Sequence, residues 1–175
     1  LVTGGGRGIG RSVALALAAR GADVALCART ETELHLVANE VRDRGVRSLA
    51  HVADVASPAD VERLVAATRR ELGSVDVLVN NAGIVARANV ADLELELWRR
   101  VLDVNLTGAF LVSKAVLPDM LARSRGRIVN VSSISGTLGT AGLSAYCAAK
   151  HGLIGFTKAL AKEVQKRGIV VNAVC

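Results

Sequence analysis

The stretch Thr3-Gly4-Gly5-Gly6-Arg7-Gly8-Ile9-Gly10 follows the apolar residues Leu1 and Val2 and leads into the amphipathic segment Arg11–Arg20. Glycines concentrated between a short apolar run and a helical segment are typical of a tight strand-to-helix turn. The same alternation of Val- and Ile-rich runs with amphipathic segments continues to the other end of the chain. From it we predict strands at Leu1–Thr3, Asp23–Cys27, Arg47–Val52, Val75–Val79, Arg127–Val131 and Ile169–Val174.

The predicted fold class is α/β, because strands that are joined by helices run parallel in one sheet. Right-handed crossovers then place helices on both faces, which gives a Rossmann-type doubly wound parallel sheet in a single domain. Thr30 and Glu33 predict a capping box at the start of the second helix, and Ser57-Pro58 predicts the start of the third. Four glycines are placed where helices should end: Gly21, Gly45, Gly73 and Gly168.

The composition excludes several classes of protein. With 175 residues, 51% hydrophobic and 22% charged, the chain can bury a sizeable core and is neither disordered, collagen-like nor disulfide-stapled. A net charge of +6 is typical of proteins that bind nucleic acid or acidic membranes. In this chain, however, the basic residues are scattered and only four aromatic side chains could stack on bases. The uncharged run Ile128–Ala149 is rich in Ser, Thr and Gly and predicts a strand and a loop. We therefore expect no nucleic acid and no membrane as partners.

The cysteines and histidines predict neither disulfides nor a metal site. Three cysteines lack both the paired spacing of a zinc site and the even count of a disulfide framework: Cys27, Cys147 and Cys175. A cytoplasmic location is the expectation, because free thiols persist in reducing compartments. No targeting peptide is visible and the chain looks cut at both ends, so we expect it to belong to a longer protein.

The glycine-rich turn also predicts a binding site for phosphates. Glycine lets the backbone approach a phosphate closely, and the free N–H groups and dipole of the next helix attract negative charge. In an open parallel sheet, ligands bind at the carboxyl ends of the strands, where this turn lies. The spacing Gly4-x-x-x-Gly8-x-Gly10 differs from the commoner G-x-G-x-x-G, and a purely structural turn is the alternative. We assign Gly4, Arg7, Gly8, Ile9 and Gly10 to a dinucleotide site.

The end of the second predicted strand bears on which dinucleotide is bound. An acidic residue about twenty residues beyond the glycines would bind a ribose 2′-hydroxyl, whereas an arginine would accommodate a 2′-phosphate. This strand ends in Cys27-Ala28-Arg29 with no acid, and Arg7 offers a second cation from the facing turn. We therefore predict NADP, as NADPH, rather than NAD. The alternative is that Arg29 is an ordinary solvated residue beside a helix cap.

Polar residues also follow the third and fourth strands. Asp54 could accept a hydrogen bond from an adenine amino group, although Asp before a Ser-Pro helix start is common for local reasons. The stretch Asn80-Asn81-Ala82-Gly83 combines side-chain amides with a glycine that admits close backbone approach, although an ordinary turn uses the same residues. We assign five residues here to cofactor binding: Asp54, Val55, Asn81, Ala82 and Gly83.

Tyr146 and Lys150 lie four residues apart at the start of a helix predicted to run to about Lys166. This spacing puts both side chains on one helix face, one turn apart. A lysine ammonium there would stabilise the phenolate and make Tyr146, the only tyrosine, a candidate general acid or base at neutral pH. Taken singly, the same spacing is common on helices and usually structural.

Together these motifs resemble those of the short-chain dehydrogenase/reductase family. The shared elements are Thr3-Gly4-x-x-x-Gly8-Ile9-Gly10, Asp54-Val55, Asn80-Asn81-Ala82-Gly83, Asn105, Ser133 and Tyr146-x-x-x-Lys150. They occur in the family's order at the ends of the appropriate strands and cover essentially the whole chain. Within the family, the sequence is most similar to 3-oxoacyl-[acyl-carrier-protein] reductases and related NADPH-dependent reductases.

The resemblance implies a carbonyl reductase that transfers a hydride between a nicotinamide and a ketone, with a 3-oxoacyl thioester as the expected substrate. Tyr146 would protonate the carbonyl oxygen, and Lys150 would stabilise the phenolate and bind the nicotinamide ribose. Ser133, rather than Ser132, would hydrogen-bond the same oxygen. Asn105 would hold a water that links Lys150 to solvent. Without the resemblance, the preferred interpretation of Asn105 is a polar helix residue that bonds a backbone carbonyl.

Two alternatives stay open at this stage. One is a reductase of the same family that acts on a sugar, polyol, steroid or other secondary alcohol. The other is a non-catalytic NADPH-binding sensor or scaffold. The resemblance further implies that residues 1–175 form a dinucleotide-binding and catalytic domain without the family's last strand and substrate loop. It also implies a homodimer or homotetramer that pairs through Leu106–Ala122 and Tyr146–Lys166, although the small residues on these helices could instead pack on the sheet.

Overall fold

The computed structural model describes residues 1–175 and contains one sheet of six parallel strands. The strands are β1 (Val2–Thr3), β2 (Val24–Ala28), β3 (Ser48–Val52), β4 (Val77–Asn80), β5 (Gly126–Val131) and β6 (Ile169–Val174). Their spatial order is β3-β2-β1-β4-β5-β6, so the direction of winding reverses between β1 and β4. The predicted doubly wound parallel sheet is confirmed, and its crevice is expected at this reversal.

Six α-helices connect the strands. They are α1 (Gly8–Ala18), α2 (Glu31–Arg42), α3 (Pro58–Glu71), α4 (Leu95–Leu102), α5 (Gly108–Ala122) and α6 (Ser144–Val164). A π-helical turn, Asp103–Thr107, joins α4 to α5 without a break. Short 3-10 turns lie at Val90–Asp92, Ile134–Gly136 and Gln165–Arg167.

Helices pack on both faces of the sheet, because alternate residues of each buried strand point to opposite sides. On the face of α1 and α2, the part formed by β4 and β5 is not covered, and Val77, Val129 and Val131 line an apolar groove there. In β2, Val24 and Leu26 pack under α1 and α2, whereas Ala25 and Cys27 pack under the other helices. The face on which Ala25 and Cys27 lie contains the larger core. Helices α3, α5 and α6 contribute side chains to it, such as Leu64, Val112, Met120 and Leu160. The fully buried aliphatic side chains each contribute about 1.5–3 kcal/mol.

One of the two predicted helix starts is confirmed. The Ser57 hydroxyl oxygen accepts a hydrogen bond from the Asp60 amide at the start of α3. The capping box at α2 is wrong, because the Thr30 side chain makes no cap hydrogen bond. Glu33 instead faces the glycine turn, where its carboxylate lies 3.7 Å from the Arg7 guanidinium. The four glycines predicted at helix ends all adopt the left-handed conformation there.

The continuous helical stretch Leu95–Ala122 is long and apolar enough to cross a bilayer by length and composition alone. This is weak evidence, since core helices of globular proteins meet the same criterion. Here α5 packs Val112, Val116 and Met120 into the core beneath the sheet. The run Ile128–Ala149 forms part of β5, a turn and the start of α6, as its polar residues predict.

Candidate active site

The turn between β1 and α1 is packed tightly against the end of β4. Gly4 and Gly8 have φ of +64° and +54°, a conformation that glycine adopts without strain. A Cβ on Gly10 would lie 2.1 Å from the Gly4 carbonyl oxygen, so any side chain there would push the helix off the turn. Asn81 Nδ2 donates to the carbonyl oxygens of Thr3 and Gly4 at 3.0 and 3.2 Å. The turn is therefore preorganised before any ligand arrives.

Thr3 is a positioning residue that the sequence prediction left out of the site. Its buried hydroxyl oxygen accepts hydrogen bonds from the backbone N–H groups of Asn81 and Ala82, both at 3.0 Å. These bonds join the end of β1 to the residues that follow β4. Its sequence signals were a hydroxyl at the end of a buried strand and its place in the glycine motif, and neither reveals partners so distant along the chain.

A crevice of about 290 Å³ opens at the carboxyl ends of the central strands. Nine of the predicted cofactor-binding residues line it: Gly4, Arg7, Ile9, Arg29, Asp54, Val55, Asn81, Ala82 and Gly83. Gly8 and Gly10 shape the turn behind the crevice without lining it. The crevice thus has the glycine-lined wall and the helix N-terminus that a pyrophosphate requires.

Two arginines line the crevice. Arg29 follows β2, is exposed, and forms no salt bridge. Arg7 is also exposed and has only a loose contact with Glu33 across the turn. Two guanidinium groups that reach the same cavity from facing turns are suited to a phosphate.

The Asp54 carboxylate is already engaged by protein groups. Its Oδ2 accepts from Arg100 Nη2 at 2.6 Å, and its Oδ1 accepts from the Ala56 amide at 3.0 Å. Partial burial opposes the charged carboxylate, but the Ala56 amide, Arg100 and Arg29 together outweigh it and hold the pKa of Asp54 below its usual value. The Asp54 side chain therefore fits the alternative that it has a structural role near the start of α3. An adenine amino group would have to share the carboxylate with Arg100.

Replacement of Arg100 by Ala is expected to lower the free energy of unfolding by about 1 kcal/mol, because the Asp54 pair is only half-buried. Arg99→Ala is the matched control, since Arg99 is the next residue on α4 and forms no salt bridge. Urea denaturation of both variants measures the difference. Equal stability of the two variants would show that the Asp54 pair contributes nothing.

Tyr146 and Lys150 share one face of α6, as predicted. Lys150 Nζ lies 5.6 Å from the centroid of the Tyr146 ring. Lys150 is only 4% exposed, and its Nζ donates to the Val131 carbonyl oxygen at 2.8 Å. Burial lowers the pKa of Lys150 to about 8. Its ammonium and amine forms are therefore close in free energy near neutral pH, which suits a group that passes protons.

The two serines after β5 differ in which of their hydrogen-bonding sites are taken. Ser132 is buried and donates its hydroxyl proton to the Lys150 carbonyl oxygen at 3.3 Å. Ser133 accepts from the Ser135 amide at 3.1 Å, which leaves its hydroxyl proton free to donate. Ser133 and Tyr146 line the same apolar groove. Of the two serines, Ser133 is the one suited to donate to a ligand oxygen beside Tyr146.

Asn105 lies in the π-helical turn between α4 and α5. Its Nδ2 donates to the carbonyl oxygens of Ile84 and Val101 at 2.8 and 2.9 Å, while no protein donor reaches its Oδ1. The side chain therefore bonds backbone carbonyls, as the alternative interpretation predicts, and still presents a free acceptor. Gly83 connects this corner to the crevice, because it lines the crevice and faces both Asn105 and Lys150.

A family model described as short chain dehydrogenase matches residues 1–175. The chain belongs to the short-chain dehydrogenase family. It is therefore an oxidoreductase of a family whose members act on CH–OH and ketone groups. The resemblance read from the sequence is confirmed.

Two curated relatives are reductases of ketoacyl groups by name. A 3-oxoacyl-[acyl-carrier-protein] reductase of Synechocystis sp. is 46% identical over 175 residues, which is 99% of this chain and 71% of the relative. A putative ketoacyl reductase of Streptomyces coelicolor is 47% identical over 177 residues, which is 100% of this chain and 68% of the relative. The chain thus spans about seven tenths of the length of these proteins.

Solved structures with the same fold include proteins bound to either dinucleotide. A Phe-to-Trp variant of actinorhodin polyketide ketoreductase with NADPH superposes with a TM-score of 0.97 at 46% identity, covering 99% of this chain and 67% of that one. NAD⁺-bound xylitol dehydrogenase gives a TM-score of 0.95 at 39% identity, covering 98% and 66%. The fold therefore accommodates both cofactors.

Proposed function

We propose that this chain is the dinucleotide-binding and catalytic domain of an NADPH-dependent carbonyl reductase, and that a 3-oxoacyl thioester is its substrate. The observation that carries the proposal is that Ser133 and Tyr146 line one groove with Lys150 next to Tyr146. Ile9 lines both this groove and the crevice to which Arg29 contributes. The ketoacyl reductases among the relatives, at 46–47% identity, support the substrate class.

The proposed chemistry divides between the cofactor and the protein. When bound, the reduced nicotinamide supplies the hydride. Ser133 and Tyr146 donate hydrogen bonds to the carbonyl oxygen, and Tyr146 gives up its proton as negative charge develops there. Lys150, whose Nζ lies 5.6 Å from the ring centroid, then stabilises the phenolate. The glycine turn and Asn81 keep the pyrophosphate site in place, so no protein reorganisation is needed during the reaction.

The choice of NADPH is tested by replacing Arg29 with Ala. A lost charge-assisted contact to a 2′-phosphate should weaken NADPH binding by about tenfold to a hundredfold and leave NADH binding nearly unchanged. Fluorescence titration of both nucleotides measures the effect, with Arg20→Ala as the control because Arg20 is exposed just after α1 and does not line the crevice. An equal loss for NADPH and NADH would contradict a 2′-phosphate contact.

The substrate class is tested by turnover of the intact protein with a panel of carbonyl compounds. We expect kcat/KM for an acetoacetyl thioester to exceed that for ketoses, polyol-derived ketones and steroid ketones by at least about tenfold. The xylitol dehydrogenase neighbour makes the polyol class the second candidate. A preference for that class would replace the proposed substrate and leave the reductase and its cofactor standing.

We also infer a homo-oligomer and a cytoplasmic location. The proposed pairing surface is formed by α5 and α6, whose outer faces carry Phe110, 43% exposed, and Gly155, at which a Cβ would meet no atom within 4 Å. Close approach of a second helix pair would cover both.

The cytoplasmic location is supported by Cys27 and Cys147, which are free thiols despite their burial.

A further inference from the structure

Gly136 ends the short 3-10 turn that follows β5 and packs closely against α6. The turn comprises Ile134–Gly136, and Gly136 is buried. A Cβ at this position would lie 2.5 Å from Ser132 Oγ, 2.9 Å from Ile154 Cδ1 and 3.0 Å from the Lys150 carbonyl oxygen. Gly136 does not adopt a left-handed conformation, so its backbone does not require glycine. The close packing on α6 is therefore what excludes a side chain here.

The backbone and the side chain of Lys150 both tie the end of β5 to α6. The Lys150 carbonyl oxygen accepts a hydrogen bond from Ser132 Oγ at 3.3 Å, and Lys150 Nζ donates to the Val131 carbonyl oxygen at 2.8 Å. The helix α6 is itself anchored in the core, for example through Leu160. Because α6 is held along its length, a side chain on Gly136 would displace the turn rather than the helix.

A displacement of the turn would be passed directly to Ser133. The Gly136 amide donates to the Ser133 carbonyl oxygen at 2.8 Å, and the Ser135 amide donates to Ser133 Oγ at 3.1 Å. These two bonds fix the backbone of Ser133 and the direction of its hydroxyl group. The hydroxyl proton is left free for a ligand oxygen, since the Ser135 amide uses only an acceptor site of Oγ. The place of this donor therefore depends on how closely Gly136 approaches α6.

We propose that Gly136 is a positioning residue that sets the distance between the hydroxyl groups of Ser133 and Tyr146. Without a side chain, it lets the turn lie directly on the Lys150 carbonyl. Both hydroxyl groups donate to the same substrate oxygen in the proposed reaction, so their separation has to match a single atom. A misplacement of about 1 Å can lower the rate by about a hundredfold. The inference rests on the proposed reductase function.

The test compares Gly136→Ala with Gly139→Ala in the intact protein. Gly139 lies in the same loop, is exposed and not left-handed, and a Cβ there would meet no atom within 4 Å. We expect Gly136→Ala to lower kcat with NADPH and a thioester ketone by about tenfold or more, and Gly139→Ala to change it by less than about twofold. The dissociation constant of NADPH should change by less than about threefold in both variants, because the turn does not line the crevice. A Gly136→Ala protein with the kcat of the parent would overturn the inference.

A double-mutant cycle with Ser133→Ala shows whether Gly136 acts through Ser133. Once the Ser133 hydroxyl is removed, its position no longer matters. Gly136→Ala should then lower kcat further by less than about threefold. An additional tenfold loss in the Ser133→Ala background would contradict a positioning role, because the methyl would then be acting on another part of the protein.

The same cycle in a Ser132→Ala background decides the case if Gly136→Ala alone does not fold. Removal of Ser132 Oγ frees the space nearest to the new methyl, which still lies 3.0 Å from the Lys150 carbonyl oxygen. We expect this milder displacement to lower kcat by about threefold relative to Ser132→Ala, and the loss to disappear when Ser133 is also replaced by Ala. A kcat equal to that of Ser132→Ala, or a loss that persists without the Ser133 hydroxyl, would refute the inference. A parent protein that binds NADPH but reduces no ketone would instead refute the proposed function.

Discussion

Replacement of Tyr146 by Phe is expected to lower kcat by about a thousandfold and to leave NADPH binding within about twofold of the parent value. The variant removes only the hydroxyl that donates the proton. The ring that packs 5.6 Å from Lys150 Nζ is kept, so the corner retains its shape. Single-turnover oxidation of bound NADPH by a thioester ketone measures the chemical step directly.

The adjacent serines supply a matched comparison for this experiment. Ser133→Ala should lower kcat by about a hundredfold, because it removes the second donor to the developing oxyanion. Ser132→Ala should have a much smaller effect, since that hydroxyl is committed to the Lys150 carbonyl. Retained turnover in Tyr146→Phe would contradict the proposed role of Tyr146 as the acid. A parent protein that binds NADPH but turns over no faster than an inactive variant would favour a non-catalytic nucleotide-binding protein.

Replacement of Lys150 by Met is expected to stabilise the fold near pH 7 by up to about 3 kcal/mol while abolishing turnover. Burial lowers the pKa of Lys150 from 10.5 to about 8, so folding the ammonium form costs free energy. The unfolded chain binds more protons than the folded protein between these two values. Stability of the parent protein therefore rises with pH across this window, and the advantage of Met disappears above about pH 10.5.

Urea denaturation of the cofactor-free protein at pH 7 and pH 10 measures this effect. Lys158→Met is the control, because Lys158 is exposed on the same helix. Lys150→Met also loses the hydrogen bond to the Val131 carbonyl, which reduces the expected stabilisation. This loss does not depend on pH in the same way as the cost of the buried ammonium. A Lys150→Met protein that is less stable than the parent at pH 7, with no convergence at high pH, would contradict a destabilising buried ammonium.

The fold follows closely from local sequence patterns. Each predicted strand ends within two residues of the observed one, because strands buried on both faces appear as short, nearly continuous apolar runs. The glycine turn and the pair Tyr146 and Lys150 were also found from spacing alone, because both depend on contacts within about ten residues. These short-range features are the ones that a single sequence reveals.

Contacts between distant parts of the chain were missed for a physical reason. The pairing of Asp54 with Arg100 and of Thr3 with Asn81 requires elements that meet only after folding. A buried chain of polar groups beneath the site was missed as well. In it, Asn80 donates to Asn130 and Asn130 donates to Thr157, both at 2.8 Å. The α2 capping box was wrong, because Thr30 makes no side-chain cap bond and Glu33 lies instead 3.7 Å from Arg7 of the glycine turn.

The most direct measurement is cofactor oxidation by the intact protein with an acetoacetyl thioester, comparing NADPH with NADH. Ser133, Tyr146 and Lys150, together with a neighbouring crevice lined by Arg29, predict rapid turnover with NADPH and at least about tenfold lower kcat/KM with NADH. Binding of NADPH without oxidation of it by the thioester or by any other ketone would contradict a catalytic role for this corner.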